Sequence, residues 1–232
     1  MDRREVLGAI GAIGAGLAAG SKTEASTRQE KSKVLHAGSG LLHFCGIHVA
    51  KNNPKFQIVT EHFCGPCGEG MHQCLLYDSA EPHARLIGVE YIVTDEIYRK
   101  LPDTEKKYWH PHTYEVLAGG LIAPEMSAEN EQKFMEYILP TWGKTWHTWP
   151  DPSTPVPMGE PLLIWSLTAD EQVDQKVVEQ RDRIFGSNTA KIRADRIAKF
   201  GMEVPHVSSP KTMDTIGRQW TDTGEDKPTK RK

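Results

Sequence analysis

Positive charge in excess is the first thing this chain lacks. Lysine and arginine number 28 against 31 aspartates and glutamates, a formal net charge of -3, so there is no basic stripe to neutralise phosphates and nucleic acid is not an expected partner. There is no Ser/His/Asp order, no phosphate-cradling glycine loop and no dinucleotide fingerprint, which removes the commonest motif-borne hydrolase, nucleotide and dehydrogenase chemistries. Internal repeats are absent. Cysteine is scarce, at four residues, and after His147 the only histidine is His206. The ligand-type side chains are therefore concentrated in the middle of the chain: His43, His48, His62, His72, His83, His110, His112 and His147, with all the cysteines among them.

The N-terminus has the three-part layout of an export signal: Arg3-Arg4, an apolar glycine- and alanine-rich stretch from Val6 to Gly20, then small and polar residues. That stretch is about five residues short of the ~20 that span a bilayer. The arginine pair before Glu5-Val6-Leu7 resembles a twin-arginine signal. The expected layout is a signal over 1–25, a linker over 26–33, one domain over 34–201, and a polar, disordered tail over 202–232. The expected address is the bacterial periplasm or the medium, with the twin-arginine machinery as a partner and a metal loaded before export.

Strands are expected over 41–50, 56–64, 73–78, 86–93, 144–149 and 161–167, from β-branched and aromatic runs bounded by turn formers. Helices are expected after Thr94, over 103–108, over 127–139 and, broken at Gly186-Ser187-Asn188, over 168–200. The fold class read from this order is α+β: a mainly antiparallel sheet flanked by helices, in a single domain.

The segment Trp109-His110-Pro111-His112-Thr113-Tyr114-Glu115 carries the densest chemistry. In an extended chain His110 and His112 share a face, because side chains alternate with period two, and Glu115 joins His112 only if the chain turns helical after it. Two imidazoles suit a first-row ion, zinc or iron, but supply only part of its shell. His48 and His62 are the preferred further ligands, with Glu90, Glu115 and His147 as possible ones and His43 also weighed. Glu90 sits in the apolar run Leu86–Val93 and needs a cation, metal or hydrogen-bond partner if buried. Glu90 and Glu115 are also the candidate catalytic carboxylates. Cys64-Gly65-Pro66-Cys67 spells a thioredoxin-type tetrapeptide, yet Gly68 and Gly70 make a poor helix start after it. A disulfide or free thiols, a structural zinc on Cys64, Cys67, His72 and Cys74, and redox chemistry at Cys64/Cys67 all stay open, in that order.

Several separate segments resemble the plant oil-body-associated proteins and their microbial relatives, a family built on a domain of unknown function. They are Leu86–Ile92, Lys106–Val116, Gly143–Trp149 and Gln73-Cys74 with Tyr77-Asp78-Ser79. The likeness spans about residues 35–200 and implies matching family positions at His48, at His62-Phe63-Cys64, at Trp109–His112 and around His147. It implies a fold and a place for the site, and no reaction. The export signal and Cys67 depart from the family pattern, which sets oil-body targeting aside here. Two functional readings follow besides redox chemistry. One is a metal-binding, possibly enzymatic protein; the other is a lipid- or protein-interaction module, with a lipid or small molecule as ligand, presenting Trp142, Trp146, Trp149 and Trp165 as an exposed patch.

Overall fold

The computed structural model describes residues 41–50, 53–202 and 204. The expected signal, linker and most of the expected tail lie outside these residues. Seven strands form: β1 (Leu42–Ala50), β2 (Asn53–Gly68), β3 (Met71–Tyr77), β4 (Leu86–Thr94), β5 (His110–Pro111), β6 (Thr141–His147) and β7 (Leu162–Trp165). Six helices accompany them: α1 (Asp95–Lys100), α2 (Asp103–Lys106), α3 (Thr113–Leu117), α4 (Ala128–Ile138), α5 (Gln175–Phe185) and α6 (Thr189–Phe200).

The sheet order is β4-β3-β2-β1-β7-β6-β5, and a further pairing of β4 with β6 closes it. β4 meets β6 antiparallel from Gly88↔His147 to Thr94↔Thr141, while β1 meets β7 at Val49↔Trp165 and Ala50↔Ile164. The result is a six-stranded antiparallel barrel, β1-β2-β3-β4-β6-β7, with the two-residue β5 beside the part of β6 that β7 leaves free. This corrects the α+β class, a mainly antiparallel sheet flanked by helices, expected from the element order: the fold is mostly sheet, closed on itself, with a few short helices. Each of the six barrel strands was visible locally, but closure is a property of the β4–β6 register, which joins segments far apart in sequence, and full closure removes the free edges an open sheet would have to protect.

Closure also explains why β1 alternates loosely. Phe44 to Ala50 are all buried, one face inside the barrel and the other under α3, α5 and α6. On that outer side Cys45, Val59 and Ile122 pack with Val177, Phe185 and Ile192, and Ile47 and Val49 pack with Tyr114, Leu167 and Val178. Inside, Phe44, Leu76 and Ile92 form one cluster with Phe134, Met135 and Ile138 of α4. Helix α4 begins where its sequence signals, with Ser127 Oγ accepting from the Asn130 amide. Its apolar stripe covers that part of the interior. Helices α5 and α6 start at Asp174 and Asn188 caps and end at Gly186 and Gly201 in the left-handed conformation.

Cys-Gly-Pro-Cys lies in the last turn-ward residues of β2, not at the head of a helix. Cys64 faces Cys74 across the β2–β3 pair and the two form a disulfide, leaving Cys67 an exposed thiol. The zinc set of Cys64, Cys67, His72 and Cys74 is therefore not assembled, and the Cys64/Cys67 dithiol needed for thioredoxin-type chemistry is absent. No helix among the described residues is long and apolar enough to cross a membrane.

Candidate metal centre

Strand register decides which polar side chains enter the barrel. Pairing sets Phe44 opposite His62, His48 opposite Ile58, Cys74 opposite Glu90, and Glu90 opposite Thr145. The even-numbered residues of β1 to β4 thus share the inner face with the odd-numbered residues of β6. His48, His62, Glu90 and His147 all fall on it. β5 then adds His110, opposite Gly143. After Pro111 the chain turns: His112 has helical backbone angles at the head of α3, which brings Glu115 onto the same side three residues later. His48, His62, Glu90, His110, His112, Glu115 and His147 all arrive in one buried interior, and each is at most 4% exposed.

Glu90 is the hub. Its Oε2 lies 3.3 Å from His62 Nε2, and its Oε1 lies 3.4 Å from His110 Nε2 and 3.5 Å from His112 Nε2. Glu115 Oε1 is 3.8 Å from His112 Nε2. His48 links outward from this group, its Nε2 3.0 Å from His62 Nε2 and its Nδ1 3.0 Å from His147 Nε2. The groups His48–His62–Glu90 and Glu90–His110–His112 each have donor atoms within 4.8 Å of one another and could hold a metal ion. Metal–nitrogen and metal–oxygen bonds of about 2.0–2.1 Å in a tetrahedral shell set donors about 3.3–3.4 Å apart. The contacts around Glu90 match that spacing and are long for hydrogen bonds.

Surrounding groups hold the rings in place. His62 Nδ1 is 3.1 Å from the Thr60 carbonyl, which can only accept. His112 Nδ1 is 2.7 Å from Thr141 Oγ1, whose own proton goes to the Ile138 carbonyl, so the hydroxyl must accept here too. Each ring therefore turns its Nε2 toward a Glu90 oxygen. Both nitrogens of His110 are buried without a hydrogen-bond partner. Thr145 Oγ1 donates to Glu90 Oε1 at 2.8 Å.

The electrostatics agree with a place for a cation. Against the upward push of burial, the His110, His112 and His62 imidazoles hold the Glu90 carboxyl well below the usual range. Burial, with the Glu90 charge second, pushes Glu115 well up. Burial, then His62 and His147, pushes His48 well down; burial pushes His110 down, and with His62 it takes His147 to about 3. Burial thus opposes charge on Glu115 and on the His48, His110 and His147 rings alike, while the imidazoles around Glu90 favour its ionised form. Two carboxylates driven apart in one dry site also divide into a base-like and an acid-like member.

Several contributors were not picked out by sequence reading. Gly143 faces inward, and a Cβ there would lie 2.3 Å from Glu90 Oε1 and 2.7 Å from both His110 Nε2 and His112 Nε2. The missing side chain leaves space at the point where three donors converge. A glycine inside a strand-like run was the available signal, since it often marks a close approach. Arg181 and Arg196 looked peripheral and are buried. Arg181 donates to the carbonyls of Gly119 and Gly120, and Arg196 to those of Val116 and Leu121, clamping the segment just after Glu115. His43, in contrast, points out of the barrel to Glu61 and Glu125. None of the five described tryptophans is exposed: Trp165 is buried, Trp142 stacks on Tyr98, and Trp149 donates to Thr154. The exposed indole patch required of an interaction module does not form.

Residues 39–199 match the family model described as "Protein of unknown function (DUF1264)". Oil body-associated protein 1B of Arabidopsis thaliana is 34% identical over 163 residues, covering 70% of this chain and 68% of the relative. Oil body-associated protein 1A of Zea mays is 36% identical over 162 residues, 69% of this chain and 68% of the relative. Oil body-associated protein 2A of Zea mays is 33% identical over 197 residues, covering 79% and 77%. No solved structure matches the chain significantly.

Proposed function

The chain belongs to the oil-body-associated protein family, and we propose that its barrel is a container for a first-row divalent metal ion, zinc or iron, held by Glu90, His110 and His112 with His62 beside them. One observation carries the reading. The Thr60 carbonyl accepts from His62 Nδ1 and the Thr141 hydroxyl from His112 Nδ1, which turns Nε2 of both rings to Glu90 at 3.3 and 3.5 Å. Buried imidazole nitrogens and a carboxylate at the spacing of donors on one ion are favourably placed with a cation between them. A donor set of imidazole and carboxylate without thiolate suits zinc, iron or manganese over softer ions. Metal binding requires an ionised carboxylate, and the Glu90 carboxyl is held well below the usual range. Glu115, pushed toward its protonated form, is the group available for proton transfer beside the ion. Export through residues 1–25, with the ion loaded before translocation, is proposed on the sequence alone.

The test is elemental analysis of the full chain purified without chelator, beside a His110→Ala/His112→Ala double variant. Stoichiometric metal in the parent chain and its loss in the variant are expected. A metal-free parent chain with undiminished thermal stability would end this reading.

A further inference from the structure

Resting on that reading and extending it, we propose that the barrel binds two divalent ions, bridged by Glu90. The interior offers more donors than one ion needs: five imidazoles and two carboxylates, where a single zinc takes four ligands. They divide into two triads that share only Glu90, namely His48–His62–Glu90 and Glu90–His110–His112. Within Glu90 the division runs between its two oxygens. Oε2 is turned to His62 at 3.3 Å, and Oε1 to His110 and His112 at 3.4 and 3.5 Å. A carboxylate used in this way holds two ions at the separation of about 3.5–4 Å typical of two-metal sites.

The second triad is braced as a ligand set should be. His62 is oriented through Nδ1 by the Thr60 carbonyl, and His48 through Nδ1 by His147 Nε2 at 3.0 Å. That leaves His48 Nε2 and His62 Nε2, 3.0 Å apart, as the near atoms on the Oε2 side. His147 is on this account an orienting residue for His48, not a ligand. Glu115 runs along both groups. Its Oε1 lies 3.8 Å from His112 Nε2, and a Cβ added at Gly46 would lie 3.7 Å from its Oε2 and 3.4 Å from His62 Cε1, so the two side chains meet over that glycine.

The experiment is a Zn(II) titration of chelator-stripped full chain by equilibrium dialysis with elemental analysis, repeated with Mn(II) and read by electron paramagnetic resonance. The parent chain should saturate at two Zn(II), His48→Ala at one, and His110→Ala/His112→Ala at one. Mn(II) at two equivalents should give an exchange-coupled spectrum that His48→Ala replaces with that of isolated ions. Saturation of the parent chain at one Zn(II), with only uncoupled Mn(II), overturns the second ion and leaves the single-metal reading standing. No Zn(II) bound at all overturns both. If a variant fails to fold, the stoichiometry and Mn(II) spectrum of the parent chain decide alone.

Discussion

Two buried histidine–glutamate clusters sit back to back on the wall formed by β1 and β2. Inside the barrel, His48 and His62 gather about Glu90; outside it, His43 is bonded to Glu61 at 2.9 Å and lies 3.2 Å from Glu125. Glu61 and His62 are adjacent in sequence and serve opposite clusters, because neighbouring residues of a strand face opposite ways. The outer cluster is complete in itself. Despite desolvation, Glu125 and Glu61 raise His43 to about 9, so it is an imidazolium paired with carboxylates. It also stacks flat on Phe63. Close by, burial and then Glu61 push the Cys45 thiol well up, which makes it inert. Inside, burial pushes His48, His110 and His147 down instead, toward the neutral form. The same residue types build an ion pair on one face and, on the other, groups that could hold a metal ion.

Removing His43 should have the largest effect on stability. His43→Ala strands Glu61 without its buried partner and should cost about 3–5 kcal/mol, read by chemical denaturation, while the metal content stays at the parent value. A matching fall in metal content would show that the two clusters are not independent. Next comes Thr141→Val, which takes away the acceptor that holds His112 Nδ1–H. Loss of an orienting partner typically weakens metal affinity about 10–100-fold, measurable by competition with a chromophoric chelator; unchanged affinity would remove the orienting role from Thr141.

The pH dependence separates the clusters more finely. A histidine whose pKa is raised on folding adds stability that is fully present below its unfolded pKa of about 6.5 and is lost as pH climbs through the folded value. For His43 the window runs from about 6.5 to about 9. Because half-exposed Glu125 supplies part of the raise, a discounted contribution on the order of 1–2 kcal/mol is expected. Thermal melts across that range, with His43→Gln as reference, should show the parent chain losing its advantage as pH rises; a parallel pair of curves would refute it. The smallest effect belongs to Cys67→Ser. The thiol is exposed and outside the disulfide, so stability and metal content should shift by no more than about 0.5 kcal/mol and nothing, respectively. Cys74→Ala, by opening the Cys64 bridge, should cost about 2–3 kcal/mol.

Much of this molecule could be read from its residues, and the parts that could not share a cause. The strand of Leu86–Thr94 and the helix of Ala128–Ile138 are local patterns, and they lie where their apolar spacing and Ser127 cap put them. Glu90 was suspect for a local reason too, being a carboxylate within an apolar run. Pairing of Cys64 with Cys74 rather than Cys67 was not local, since it depends on the β2–β3 register. Nor was the burial of Arg181 and Arg196, which answers carbonyls some sixty to eighty residues upstream. Gly143 drew no attention in the chain because a missing side chain acquires meaning only when three donors converge on the space it leaves.

By itself the sequence determined which side chains could act as ligands and, through the period of two along each strand, which of them would keep company on one face. The tertiary structure decided that this face is the inside of a closed barrel. It did so through the pairing of β4 with β6, a contact between distant segments that converts one side of a sheet into an enclosed space where histidines and glutamates meet in groups that could hold a metal ion.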